Sequence, residues 1–295
     1  MKKLLIFPII IALIGCSGNQ DKMPDNTFYC FNNCVRTLPN APESMETQAA
    51  LIKKTGFDGL GGHMSENYFQ RRAALDLAEL KMPELYWNFM ITADDKVSYK
   101  EGLKEIIVDS NNRDLLVTLF LDAPLYTNNK AAGDKLIAAG IGELADFAAK
   151  YNVKIAIYPH TGNYCETTDH AVKIAKLINR KNTGVTFNLC HYLKVEGESG
   201  WRETISEAMP YLFMVSINGT DSGNTKEMGW DRLIQPLGEG NFDTYKVVKF
   251  LKDNNYNGII GLQCYNINQD CELALTKSMK TWNEYQKRYQ GEGKP

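Results

Sequence analysis

The sequence predicts an α/β protein folded as a single closed (β/α)8 barrel, and three observations predict it. From about residue 28 onward, short apolar runs alternate eight times with helical patterns. No strand is left over after the eighth unit. Polar and aromatic residues gather where the apolar runs end, which is where barrels of this kind carry their chemistry.

In chain order the apolar runs are Phe28–Cys34, Gly56–Gly61, Glu84–Phe89, Leu115–Leu121, Lys154–Tyr158, Gly184–Leu189, Leu212–Ile217 and Gly258–Leu262. Each is short and bounded by turn residues, as strands buried on both faces should be. The helical patterns that follow them are Glu46–Lys54, Tyr68–Leu80, Tyr99–Ser110, Ala132–Tyr151, Thr168–Arg180, Trp201–Met209, Thr244–Asn254 and Cys271–Tyr289. In Thr244–Asn254, Val247, Val248 and Leu251 share one face while Lys246, Lys249 and Lys252 are expected to face out. Asp243 stands before that helix as an N-cap, and Asn254-Asn255 as its stop. A doubly wound open sheet is the competing architecture. It would place a glycine-rich phosphate turn after the first strand, whereas that turn here reads Asn-Asn-Cys-Val-Arg.

The first residues stand outside this pattern. Lys2 and Lys3 precede the apolar stretch Leu4–Ile14, which gives a basic region and a short hydrophobic region of secretory-signal type. The stretch falls short of the roughly 20 apolar residues that span a bilayer. Leu13-Ile14-Gly15-Cys16 resembles a bacterial lipobox, in which the cysteine is lipidated; an ordinary signal with a chance cysteine is the plainer alternative. The expected organisation is therefore a lipoprotein signal peptide over 1–15, lipidated Cys16 and a polar tether over 16–27, and the barrel over 28–295. The expected location is the periplasmic face or outer surface of a bacterial membrane, held there by the lipid.

Without Lys2 and Lys3 the 33 basic residues become 31 against 35 acidic, a net charge of about −4. There is no basic stripe, which argues against a nucleic-acid partner. An exported chain can form disulfides. Cys30, Cys34, Cys165, Cys190, Cys264 and Cys271 leave the pairing open. Cys190 and Cys264 lie inside apolar runs and read as small buried hydrophobes.

Candidate site residues are read from the strand ends. Three of the four histidines fall there: His63, His160 and His191. Arg36 follows the first strand, Trp87 lies in the third, Asn188 ends the sixth, Asn218 follows the seventh, and Gln263 and Tyr265 follow the eighth. Flat aromatic faces beside amides suit a sugar ring, whose C–H face stacks while its hydroxyls are hydrogen-bonded. Asp122 and Glu166 are the nearest carboxylates. No G-x-S-x-G elbow or dinucleotide fingerprint is present.

The segments IYPHTGNY, GVTFNLCH, VSINGTD, LIQPLGEGNFD and GIIGLQCY resemble the xylose isomerase-like TIM barrel superfamily, and most of all its sugar phosphate isomerase/epimerase members. The resemblance covers nearly all of the chain after the tether and is most specific in its second half. In metal-dependent members one divalent ion is held by Glu, Asp, His and Glu from the fifth to the eighth strands. Carried over, these positions are Tyr158, Asn188, Asn218 and Gln263, so all four depart; His191, three residues beyond the sixth-strand position, is retained. Hard divalent cations want charged oxygen ligands, which three amides and a phenol do not supply.

Two roles stay open for the histidines. His63, His160 and His191 could bind one borderline divalent metal, with zinc, cobalt or manganese as the cofactor and His160 and His191 as its ligands. Alternatively, His160 and His191 act as acid and base without metal. The expected function is a carbohydrate-active enzyme that removes a proton alpha to a carbonyl. Such a step leads to isomerisation, epimerisation, or elimination and hydration of a sugar or keto-sugar. In that reading Arg36, His63, Trp87, Asn188, Asn218, Gln263 and Tyr265 hold the substrate. The alternative is a carbohydrate-binding lipoprotein on a barrel that has lost its catalytic ligands.

Overall fold

The computed structural model describes residues 26–63 and 66–292. The signal-like segment, Cys16 and the tether up to residue 25 lie outside the described residues. Nine strands follow in order: β1 (Phe28–Phe31), β2 (Leu60–Gly61), β3 (Glu84–Ile91), β4 (Val97–Ser98), β5 (Leu116–Asp122), β6 (Lys154–Ile157), β7 (Thr183–Asn188), β8 (Leu212–Ile217) and β9 (Ile259–Leu262). The helices are α1 (Met45–Thr55), α2 (Tyr68–Leu77), α3 (Leu103–Asp109), α4 (Lys130–Ala149), α5 (Thr168–Ile178), α6 (Leu189–Val195), α7 (Trp201–Ala208), α8 (Trp230–Leu233), α9 (Thr244–Asp253) and α10 (Cys271–Glu292).

Eight of the strands form the expected closed parallel barrel. The sheet runs β2-β1-β9-β8-β7-β6-β5-β3-β4. It closes between β2 and β3 through the parallel bridges Gly59–Lys81 and Gly62–Leu85 and the bond from Tyr86 N to Gly62 O at 3.0 Å. β4 lies outside this ring, antiparallel to the end of β3, with Met90 opposite Ser98.

Several expected boundaries move, each for a local reason. The first strand stops at Phe31 because Asn32–Val35 turns into a 3-10 helix. The third helical pattern was expected from Tyr99, but its helix starts at Leu103: Val97 and Ser98 are taken by the β4 hairpin, and Gly102 has a left-handed φ of 91°. Two short helices, α6 and α8, were not expected. Asn188 creates the first of them, its side chain accepting from His191 N at 3.4 Å as an N-cap. On α9, Val247, Val248 and Leu251 are buried as expected. Lys252 instead is 3% exposed, its ammonium 5.7 Å from the Tyr289 ring centroid. Asp243 occupies the N-cap position of α9 without a side-chain capping bond.

Two apolar layers hold the fold. The larger one packs the outward strand faces against the helices. The smaller fills the barrel with Tyr29, Phe31, Tyr86, Leu116, Phe120, Ala156, Tyr158 and Met214. The rings of β1 need room from their neighbours. A Cβ on Gly61 would stand 2.4 Å from Tyr29 Cε2, and one on Gly261 2.4 Å from Phe31 Cε1, so these two strand positions accept only glycine. Cys34 and Cys264 form a disulfide that ties the end of β1 to the end of β9 across 230 residues of sequence. Cys264 is thus a crosslink as well as a buried residue, while Cys190 is a free buried thiol.

Candidate active site

The C-terminal ends of the barrel strands open into a cavity of about 960 Å3. It brings together Arg36, His63, His160, His191, Gln263 and Tyr265 of the expected residues. Tyr158, Arg71 and Trp230 also line it, and Glu66 is the one carboxylate among its described lining residues. Asp122 and Glu166 lie elsewhere; Glu166 Oε1 accepts from Gly162 N at 2.7 Å and braces the loop after β6.

His160 and His191 stand with ring centroids 4.0 Å apart. Their neighbours set complementary tautomers. His160 Nδ1 lies 2.8 Å from the Thr161 carbonyl, which can only accept, so Nδ1 carries the proton and Nε2 the lone pair. His191 Nδ1 is met by the Thr161 backbone N–H at 3.4 Å and by Thr161 Oγ1 at 3.1 Å. A backbone N–H can only donate, so Nδ1 accepts and the His191 proton sits on Nε2. Burial pushes the His160 imidazolium below its ordinary range, partly offset by the Thr161 carbonyl, Asn163 and Glu166. Burial, with the His160 charge added, pushes that of His191 further down. Both rings are therefore neutral at pH 7. His63 packs edge-on against Tyr86 at 5.0 Å, and burial together with the charges of Arg36 and His160 presses it down to about 4.

Asn188 lies beneath this pair. Its amide N–H donates to the Tyr158 hydroxyl while its carbonyl caps α6, which fixes both Tyr158 and His191. Tyr158 is buried, and that burial keeps its phenol protonated. On the other side, Gln263 Oε1 accepts from Asn33 Nδ2 at 2.6 Å, Cys264 N at 3.0 Å and Tyr265 N at 3.1 Å. Three expected residues do not line the cavity: Asn188, which supports it from beneath, and Trp87 and Asn218, which point elsewhere. Trp87 points outward from β3, buried among the helices with Nε1 donating to Lys100 O at 3.2 Å. Asn218 is fully buried, and its amide N–H groups donate to Gly219 O and Leu233 O, each at 2.7 Å.

These contacts decide how well a divalent ion fits. The Gln263 carbonyl is already used by three donors, Asn218 is turned into loop carbonyls, and Tyr158 is a neutral phenol hydrogen-bonded to Asn188. Among the described residues no group of three or more His, Cys, Asp or Glu comes together. The expected trio of histidines does not converge as a ligand set. The residues present do not fit a resident divalent metal.

Sequence reasoning missed two residues. Glu84 opens β3 and points into the barrel, 0% exposed; Oε1 accepts from Thr118 Oγ1 at 2.5 Å, and Oε2 has no partner among the described residues. Burial raises its pKa well above the ordinary carboxylate range. Arg71 lies on α2, and the signal for it was present. Tyr68, Arg71, Arg72 and Leu75 follow helical core-face spacing, so two arginines occupy positions that an apolar stripe would fill.

The chain belongs to the xylose isomerase-like TIM barrel family, whose model matches residues 49–285. It is 23% identical over 273 residues to an inosose isomerase of Bacillus velezensis, a match covering 86% of this chain and 94% of the relative. Among solved structures it superposes on the IolI protein with a bound zinc atom at a TM-score of 0.66 and 14% identity, over 89% of this chain and 99% of the other. It also superposes on the 3-keto-D-glucoside 4-epimerase of E. coli at a TM-score of 0.65 and 15% identity, again over 89% and 99%. At these identities the structural matches establish the fold.

Proposed function

We propose that this chain is a carbohydrate-active enzyme that moves a proton alpha to a carbonyl without a resident metal. The observation that carries the reading is the pair of neutral histidines, His191 buried and His160 half-buried, with opposite tautomers, 4.0 Å apart on one cavity wall. His160 Nε2 offers a lone pair as general base, and His191 Nε2–H offers a donor to the carbonyl oxygen. The C–H proton goes to His160, the electron pair moves onto the carbonyl oxygen, and His191 stabilises the charge that develops there. Reprotonation of the same carbon on its other face by solvent, with His160 releasing its proton to water, gives an epimer, and return of the proton from His160 to the neighbouring carbon gives an isomer. Loss of a β-hydroxyl as water gives elimination. The relatives named as an inosose isomerase and a 3-keto-D-glucoside 4-epimerase support a cyclic ketone or keto-sugar as substrate. Trp230, 5.4 Å from His191, and Tyr265 at the rim supply aromatic faces for it.

The same reading includes export, with residues 1–15 as signal, Cys16 as lipid anchor, 16–27 as tether and 28–295 as the barrel. The Cys34–Cys264 disulfide supports an oxidising compartment. One observation favours a second reading: carbohydrate capture without turnover. The four positions that carry the family's metal ligands hold a phenol and three amides, and Glu66 is the only carboxylate among the described lining residues.

The test is hydrogen exchange. The protein is incubated in D2O with an inosose and with a 3-keto-D-glucoside, and loss of the alpha C–H signal is followed by NMR. Exchange is expected, and His160→Gln should slow it by about 10²–10⁴-fold. Exchange that is unchanged in the variant would sink the assignment of His160. Binding of either sugar with no exchange would select the capture reading.

A further inference from the structure

The wall of the cavity away from His160 and His191 carries two guanidinium groups. Arg36 is exposed at the mouth; Nη1 reaches the His63 carbonyl at 3.4 Å. Arg71 is only 9% exposed. Its Nη1 donates to Gln48 Oε1 at 2.7 Å, and Gln48 is itself buried and held by Pro42 O at 2.9 Å. Arg71 Nε has no partner among the described residues. Neither arginine forms an ion pair among the described residues. Glu66, the carboxylate on this wall, has its nearest cation in Lys100 at 3.8 Å.

Arg72, the next residue along, is the internal control. It is 8% exposed, and it is neutralised by Asp76 at 3.2 Å and Asp109 at 3.9 Å and hydrogen-bonded to the Tyr68 hydroxyl at 3.1 Å. Among the described residues, acidic partners are thus supplied for one buried arginine of the pair and none for the other. An unpaired buried guanidinium is costly, and a second cation beside it raises the cost. Burial and the Arg36 charge both push the Arg71 guanidinium below its usual value. The three histidines of the cavity are neutral at pH 7 and add no competing cation.

We infer that Arg36 and Arg71 form an oxyanion subsite, and that the substrate is an acidic sugar whose anionic group docks there while its carbonyl lies against His160 and His191. Gln48 holds Arg71 Nη1 and so fixes the plane of a guanidinium that lines the cavity, and a fixed planar guanidinium suits a planar carboxylate. A sulfate or phosphate ester offers the same oxyanion chemistry. This inference rests on the reading of the cavity as a sugar site and adds the charge class of the sugar.

The experiment is calorimetric titration of the purified protein with D-glucuronate, D-glucose, glucose 6-sulfate and glucose 6-phosphate at low and high salt. Glucuronate is expected to bind about tenfold or more tighter than glucose. Its advantage should shrink as salt rises, and should collapse in both Arg36→Gln and Arg71→Gln. Arg36 is exposed, so Arg36→Gln carries the test should Arg71→Gln not fold. Esters that bind tighter than glucuronate, with the same arginine dependence, would uphold the subsite and assign the oxyanion to an ester. Glucose binding as tightly as every anion, a preference that survives both variants, or no binding by any of the four would overturn the subsite. Deuterium exchange on neutral keto-sugars without an acid preference would overturn this inference alone. An arginine-dependent acid preference with no exchange on any sugar would uphold it and sink the proton-transfer reading.

Discussion

The two walls of the cavity settle their polar atoms in opposite ways. On the β6–β7 wall each histidine has its Nδ1 engaged by Thr161, and the Tyr158 hydroxyl is held by Asn188. On the β1–α2 wall two guanidiniums form no ion pair among the described residues, and one of them is buried. A wall whose Nδ1 atoms and phenol are already held presents one fixed protonation pattern at the Nε2 atoms, which suits chemistry. A wall left with uncompensated charge gains its compensation from what binds, which suits recognition. The comparison breaks most sharply at His160, whose loss should cost about 10²–10⁴-fold in exchange rate while an arginine change acts first on affinity.

The next largest effect tests what holds the walls in register. The Cys34–Cys264 disulfide joins the element carrying Asn33 and Arg36 to the strand end carrying Gln263. Losing such a crosslink typically costs about 2–5 kcal/mol. Cys34→Ser with Cys264→Ser should therefore lower Tm by about 5–15 °C. Exchange on a keto-sugar well below the new Tm should survive better than acid-sugar affinity, because the histidine wall lies on other strands. Equal losses of both would dissolve the distinction between the walls.

The pH dependence sharpens it further. Burial lowers the folded pKa of His160, and the neutral ring is the active base. Activity should therefore be present above that folded value and fall as pH drops through it, placing the acid limb of kcat/KM below the ordinary histidine value of 6.5. The acid-sugar preference should persist across the same range, because guanidinium charge does not titrate there. An acid limb at or above 6.5 would contradict the buried-base assignment.

What was legible in the sequence divides along similar lines. The alternation of runs and helices specified the barrel, and strand-end position found His63, His160, His191, Gln263 and Tyr265, all of which line the cavity. Trp87 was misplaced because neighbouring strand residues point to opposite faces. In β3 both faces are apolar, so nothing in the pattern says that Tyr86 points in and Trp87 out. Asn218 was misplaced because it lies just beyond β8, where loop carbonyls, not strand alternation, set its direction. The Cys34–Cys264 pair depends on β1 and β9 being neighbours, a closure that appears only in three dimensions. Arg71 carried a readable signal in its core-face spacing, but its lack of a carboxylate is visible only once Arg72 is seen to have two.

Glu84 lies beneath both walls, and the smallest expected effect belongs to it. Burial raises its folded pKa well above the unfolded value near 4.5. Between those two values the native state keeps a proton that the unfolded chain has released, so the native state binds more protons and stability falls as pH rises. Glutamine keeps the shape and cannot ionise. Glu84→Gln should therefore show little pH-dependent advantage near pH 4 and a growing one toward pH 8. By the usual conversion, a gain of about 1 kcal/mol would raise Tm by about 2–4 °C. Thr118 Oγ1 can still donate to the amide carbonyl, so its hydrogen bond is retained. Thermal melts of both proteins across this range decide the matter. A constant offset at every pH would mean that the change acts through packing. A gap that widens with pH would mean that the barrel floor holds a protonated carboxyl beneath a mouth of neutral histidines, and that the arginines are the cavity's chief source of charge.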